Sequence, residues 1–307
     1  MSRAWEDRLI KWSDRPSQTE QDMCENAVRV ISDAIGRSGA LSHRNIKTFP
    51  QGSYRNRVNT GNSSDVDIGV VCTDTFFDVY PSGMSRKDFG NIDSDYNFSQ
   101  YKNELENALV DRFGRGSVTR GNKAFTVNDN TYRLTADVVP LFEYREYWNR
   151  DQFRAGVALK TDNDFRIIKN YPERLFNYWP STPLHYENGV SKNDITQKRF
   201  KAAVRTLKCL KNYMKEKKYL SIDTPGYLIE CLAYNAPNNT FNNSSYYDRI
   251  LEICFYFYSL LEGASYEALT EVDGIKYLFH PTQPWKQAEA REFMRTAIYI
   301  LKETSPD

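Results

Sequence analysis

The sequence predicts an α+β fold: a mixed sheet with flanking helices in the first half, then a helical second half. Three observations carry this. Residues 66–72, VDIGVVC, start by alternating and run on apolar, as a strand does when it enters a core. Tyr132–Phe142 alternates again behind the turn Asn128-Asp129-Asn130, with Lys123–Val127 as its hairpin partner. From residue 195 to 217, Phe200, Ala203, Val204, Leu207, Leu210 and Met214 recur at helical spacing.

The elements follow in chain order. Ser17-Gln-Thr-Glu20 is a capping box, and Met23, Ala27, Val30, Ile31 and Ala34 keep the helical period up to Gly36. A strand is expected over Ile46–Phe49, then a Gly-Ser turn into a short helix, then the strand Val66–Cys72. Residues 73–97 are polar and read as a surface excursion. A helix over 100–113 presents Leu105, Leu109, Val110 and Phe113 and stops at Gly114. The 123–142 hairpin comes next, with a further strand pair near 157–168. Lys169–Gly189 carries three prolines and reads as irregular, and helices near 195–217, 225–235, 245–262 and 286–303 complete the chain. The expected division is 1–168 for a catalytic core with an N-terminal helix and 169–307 for a helical domain, with a cleft between them where ligands collect.

Charge and composition narrow the function. The chain has 307 residues, with 41 basic and 40 acidic side chains for a formal charge of +1, so there is no global basic field to grip a long nucleic acid. No apolar run approaches the length of a membrane span, and no secretory leader is evident. Five scattered cysteines lacking a CxxC pair read as buried thiols of a reducing, cytoplasmic compartment, and three histidines are too few for a histidine-based site.

The chemistry concentrates in three places. Strand alternation puts Asp65 and Asp67 on one face, with Val66, Ile68 and Val70 on the other. Two close carboxylates repel each other unless a cation sits between them, and hard oxygen ligands suit Mg²⁺ bound with substrate phosphates. Solvent-facing aspartates at a strand edge fit the same spacing. Asp137 is flanked by apolar residues in mid-strand, where an unpaired charge is costly, and shares its expected face with Arg133 and Thr135. Gln51, Gly52 and Ser53 form a turn able to offer N–H groups and a hydroxyl to a phosphate. On the long helix Lys198, Lys201, Arg205 and Lys208 form a second stripe, either a solvated face or a source of phosphate contacts.

Gly52-Ser53, Asp65-Val66-Asp67 and Asp137 together resemble the polymerase-β-like nucleotidyltransferase superfamily over about residues 45–145. The longer string GSYRN…SSDVDIGVV…ADVVPLFEYR…NYPERL…KNDITQKRFKAAVRTLK is similar to the bacterial CD-NTases, the cGAS/DncV-like enzymes, to about residue 235. Leu9-Ile-Lys-Trp12-Ser13 ahead of a capped helix resembles the E clade. The resemblance implies an Mg²⁺-dependent enzyme that joins NTPs into a cyclic di- or trinucleotide messenger and releases pyrophosphate, in anti-phage (CBASS) signalling. It implies that Asp65, Asp67 and Asp137 hold two Mg²⁺, with Mn²⁺ as a substitute, and that Gln51, Gly52, Ser53, Lys208 and Arg205 serve the nucleotide. ATP is the implied substrate, with UTP or GTP beside it. The family's triphosphate-touching serine stands where this chain has Gly226, before Tyr227, so that hydroxyl contact is missing here. Two other functions fit the same residues: nucleotidyl transfer to an RNA end, a protein or a small molecule, and a silent nucleotide-binding module.

Overall fold

The computed structural model describes residues 2–60, 65–130 and 134–306. Tyr132 and Arg133 of the expected strand, and Ser63 and Ser64 of the string that carries the resemblance, lie outside the described residues. The chain divides into two compact units.

The first unit holds the described residues of Ser17–Arg55 and Ser63–Thr182. Its sheet comprises β1 (Ile46–Pro50), β2 (Val66–Val79), β3 (Val118–Arg120), β4 (Phe125–Val127), β5 (Ala136–Asn149), β6 (Gln152–Lys160) and β7 (Ile167–Asn170), in the order β1-β2-β5-β4-β3. Strand β5 is long enough to serve two antiparallel partners: Ala136–Val138 pair with β4, and Phe142 onward pairs with β6, which pairs with β7. Along its other edge β5 runs parallel to β2. The mixed sheet is as expected, but its central strands reach further than the sequence indicated. Residues 73–79, read as excursion, continue β2 past an irregularity between Cys72 and Phe76.

Helix α2 (Gln18–Gly36) starts at the anticipated capping box, with Ser17 and Glu20 each bonding the other's backbone N–H. Helix α4 (Phe98–Phe113) stops at Gly114, whose φ of +81° breaks the helical path. Between them, α3 (Gly52–Asn56) is the short helix after β1. From α4, the buried Tyr101 hydroxyl donates to the Val70 carbonyl at 2.6 Å, tying the helix to β2. The sheet also buries Glu143 completely, which is tolerable because Arg145 meets both carboxylate oxygens at 2.9 Å and Tyr178 and Trp179 donate as well.

The second unit holds the described residues of Met1–Pro16, Asn56–Asn62 and Pro183–Asp307. Its helices are α1 (Ser2–Ser13), α5 (His185–Ile195), α6 (Arg199–Glu216), α7 (Gly226–Asn235), α8 (Tyr246–Leu260) and α9 (Gln287–Glu303). The described residues of Met1–Pro16 and Asn56–Asn62 thus group with the helices, and neither unit is one continuous stretch of chain. Helix α1 packs on α6 and α8 through Trp5 and Leu9, and the Trp5 indole donates to the Thr304 carbonyl at 2.8 Å. The apolar stripe of α6 is the centre of this core, with Phe200, Val204, Leu207, Leu210 and Met214 fully buried. Helix α5 was not expected, and Lys198 lies outside α6 at a φ of +68°, where the chain turns from one helix into the next.

Candidate active site

The acidic residues gather at the start of the two central strands. Parallel register sets Asp67 directly beside Asp137, and Val66 beside Ala136. The Val66 N–H donates to the Thr135 carbonyl at 2.9 Å, which extends that register toward Asp65. Val66 and Ile68 are buried while Asp67 is half-buried and Asp65 exposed, so the doublet takes the face expected of it. The Asp65 carboxyl titrates above the ordinary aspartate range, first because the protein atoms around it partly desolvate the charge, then because Asp137 and Asp129 repel it. Asp137 accepts a hydrogen bond from Thr126 Oγ1 at 2.8 Å, across the β4–β5 pair. Thr126 went unnoticed in the sequence, although the 123–142 hairpin register would have found it.

Gly52 closes the other side of this group. Its φ is +64°, and a Cβ there would stand 2.1 Å from Asp67 Oδ2. Only glycine lets the carboxylate lie against the opening of α3, and the Gln51 N–H fixes the turn by donating to the Asp67 carbonyl at 2.9 Å. Ser53 follows in the first turn of α3 and is half-buried. The Gly-Ser turn and the doublet are thus one local construction. Among the described residues no group of three or more His, Cys, Asp or Glu side chains forms a ready metal cage. The donor set fits divalent-ion chemistry in a narrower sense. Two carboxylates stand side by side, and a third is pushed up first by desolvation and then by the charges of Asp137 and Asp129, a repulsion that a bound cation relieves.

The basic residues of α6 are described within the helical unit. Lys201, Arg205 and Lys208 are all buried, so the stripe is not a solvated face. Arg205 is committed to packing: Nε donates to the Ser13 carbonyl at 2.8 Å, where α1 ends, and a terminal nitrogen donates to the Arg57 carbonyl at 2.7 Å. Arg205, expected to serve the nucleotide, thus has two of its guanidinium nitrogens turned to main-chain oxygens. Lys208 Nζ donates to the Val58 carbonyl at 3.1 Å and lies 3.8 Å from Glu230 Oε2. Gly226, the first residue of α7, sits against the same lysine, and a Cβ added there would stand 3.3 Å from Lys208 Cε. The lysine and the position of the absent serine are therefore neighbours, although eighteen residues of sequence separate them. Spacing gave no hint of Asn56, His185 and Glu230, which join this group. His185 Nε2 is 2.9 Å from Glu230 Oε1 and 2.8 Å from the Asn56 amide.

A doublet where one strand begins, a third aspartate in register on the next and a glycine-serine helix backed onto the doublet define a nucleotidyltransferase of the polymerase-β-like kind. Comparison with known proteins makes this specific. Residues 187–302 match the cGAS/DncV-like nucleotidyltransferase C-terminal helical domain. The cyclic dipyrimidine nucleotide synthase CdnE of Legionella pneumophila is 40% identical, covering 98% of this chain and 100% of that protein. The synthase of the same description from Cecembia lonarensis is 36% identical, covering 96% and 97%. Among solved structures, Rhodothermus marinus CdnE c-UMP-AMP synthase with Apcpp and Upnpp superposes with a TM-score of 0.84 at 29% identity, covering 98% of both chains. The chain belongs to the bacterial cGAS/DncV-like CD-NTases, in the E clade. It is a nucleotidyltransferase of the kind that builds cyclic dinucleotide messengers from NTPs.

Proposed function

We propose that this enzyme makes a cyclic dipyrimidine nucleotide for anti-phage signalling, with Asp65, Asp67 and Asp137 as its reacting centre. The observation that carries the site is the register of Asp67 with Asp137, with Gly52 seated on the Asp67 carboxylate. The base preference is supported by the two relatives at 40% and 36% identity, both named as dipyrimidine synthases.

Each round of the reaction forms one bond and breaks one. A ribose hydroxyl of one nucleotide attacks the α-phosphorus of the other; the new P–O bond forms as the bond to the β-phosphate oxygen breaks, and pyrophosphate leaves with that electron pair. The hydroxyl proton passes to solvent. A second round, in which the linear intermediate's own hydroxyl attacks, closes the ring, so two NTPs give one cyclic product and two pyrophosphates. Bound divalent ions, two in this reading, neutralise the triphosphate and make the hydroxyl more acidic.

The chain's own residues supply the placement. Asp67 and Asp137 hold their carboxylates at one level on adjacent strands, and Thr126 fixes one oxygen of Asp137, so only limited reorganisation remains when the phosphates arrive. Asp65 adds the third carboxylate. Asp65, Asp67 and Asp137 would hold the ions together with the substrate's phosphates, which would couple ion binding to substrate binding. Gly52 and Ser53 face the donor phosphates from α3, and Lys208 supplies a positive charge to the triphosphate, as the family resemblance implies. Asp67→Asn and Asp137→Asn test the site. Each is expected to keep its melting temperature and lose cyclic product by at least about 1000-fold, as for loss of a group that acts on the transferring phosphate. Turnover near the normal rate in either would remove that carboxylate from the mechanism.

A further inference from the structure

The helical unit buries a polar group that phosphate binding by itself does not explain. Glu230 lies on α7, one turn beyond Gly226, and is 3% exposed. Its two oxygens face different groups: Oε1 is 2.9 Å from His185 Nε2, and Oε2 is 3.8 Å from Lys208 Nζ. Burial opposes its charge, yet His185, Lys208 and Lys201 together pull its carboxyl below the ordinary glutamate range. His185 is the first residue of α5 and itself buried, and its nitrogen also meets the amide of Asn56, the last residue of α3. The Lys208 ammonium is thus held from two directions, by the Val58 carbonyl and by the Glu230 carboxylate. Lysine has a long flexible stem and costs much rotamer entropy to immobilise, so a lysine meant to meet a triphosphate gains from being oriented beforehand.

We propose that Glu230 is a positioning residue for Lys208, held in place by His185, and that it acts on the NTP only through that lysine. The buried carboxylate keeps the ammonium beside Gly226, where no larger side chain crowds its end. The anchoring interaction is long enough for the lysine to exchange it for a phosphate oxygen without breaking a tight pair. His185 bears on the oxygen that Lys208 does not approach, so it fixes the carboxylate's rotation without competing for the cation. This rests on Lys208 being a triphosphate contact, as proposed above.

The test is a kinetic cycle on the full-length enzyme, reading pyrophosphate release against NTP concentration. Glu230→Gln and His185→Gln are each expected to raise KM for the NTP roughly tenfold, the scale of one charge-assisted contact, with kcat within about twofold. Lys208→Met is expected to raise KM by more. In the Lys208→Met background the Glu230→Gln and His185→Gln changes should add nothing. A full additional rise in KM in that background overturns the proposal while leaving Lys208 as the phosphate contact. An unchanged KM in Lys208→Met alone overturns the reading of Lys208, and with it the proposal. Should Glu230→Gln not fold, as judged by its thermal melt, the His185→Gln arm decides: a rise in KM that needs Lys208 supports the proposal, and an unchanged KM overturns it.

Discussion

At Gly52 the left-handed backbone and the nearness of Asp67 Oδ2 make one demand. An alanine there takes a strained conformation and pushes the carboxylate out of register with Asp137. Gly52→Ala is expected to cut cyclic product by at least about 100-fold while the protein melts within a few degrees of the parent; product at the parental rate would show that Asp67 needs no such seat. Asp65 gives a test with a definite sign. Its carboxyl is raised in the folded chain, so ionising it costs folding free energy at any pH above its folded value, and the cost fades as pH falls. In chelator at pH 7, Asp65→Asn is expected to melt at a higher temperature than the parent and to be inactive. A lower melting temperature would contradict the desolvation and repulsion that raise this carboxyl. The aspartates were legible in the sequence because strand alternation and a hairpin fix register over short distances. Arg205 and Lys208 were not separable by the same logic. They share a stripe three residues apart, and only the packed structure shows that one meets the carbonyls of Ser13 and Arg57 while the other meets Glu230.

Among the elements, β2 and β5 decide where the site lies, and their length was the feature hardest to read. Thr73 and Asp74 end the apolar run, yet the pairing resumes at Phe76 opposite Glu143 once the irregularity has taken up the slack. Period alone cannot see across such a break. Helix α5 was hidden for a related reason: three prolines precede it, and its buried faces are polar residues such as His185 and Asn193, so no apolar stripe announces it. At the sheet's edge, β1 lies on β2 with Phe49 opposite Gly69, and the ring covers the glycine so closely that a Cβ would stand 2.4 Å from Phe49 Cζ. Gly69→Ala should therefore overpack the pair and lower unfolding free energy by about 1–3 kcal/mol in urea titrations. A stability equal to the parent's would mean that the ring has room to move. The Gly in VDIGVV thus has a packing reason independent of the catalytic doublet.

For the whole molecule, the two halves of the sequence proved unequal guides. The sheet unit's site-bearing strands were read at their starts, where the signals are local, but not to their full length. The helical unit was read as helices without its partnerships: α1, 299 residues from its Thr304 partner, closes the core that α6 centres. No helix of the described residues is long and apolar enough to cross a membrane. The buried carboxylates also set how the chain responds to acid. The Glu230 carboxyl lies below its unfolded value, so its contribution is fully present above the ordinary glutamate range and is lost as pH falls through the lowered folded value. Glu230→Gln should flatten the acid limb of a stability-versus-pH curve; an unchanged limb would place acid sensitivity elsewhere.

The central claim is that one site joins two nucleotides and closes the ring. Incubating the enzyme with Mg²⁺ and each labelled NTP, singly and in pairs, then with phosphatase, tests it most directly. The account predicts label that survives phosphatase, strongest with pyrimidine NTPs and absent with Asp67→Asn or Asp137→Asn. Label removed entirely by phosphatase, or transferred to protein, RNA or a small acceptor, would contradict it.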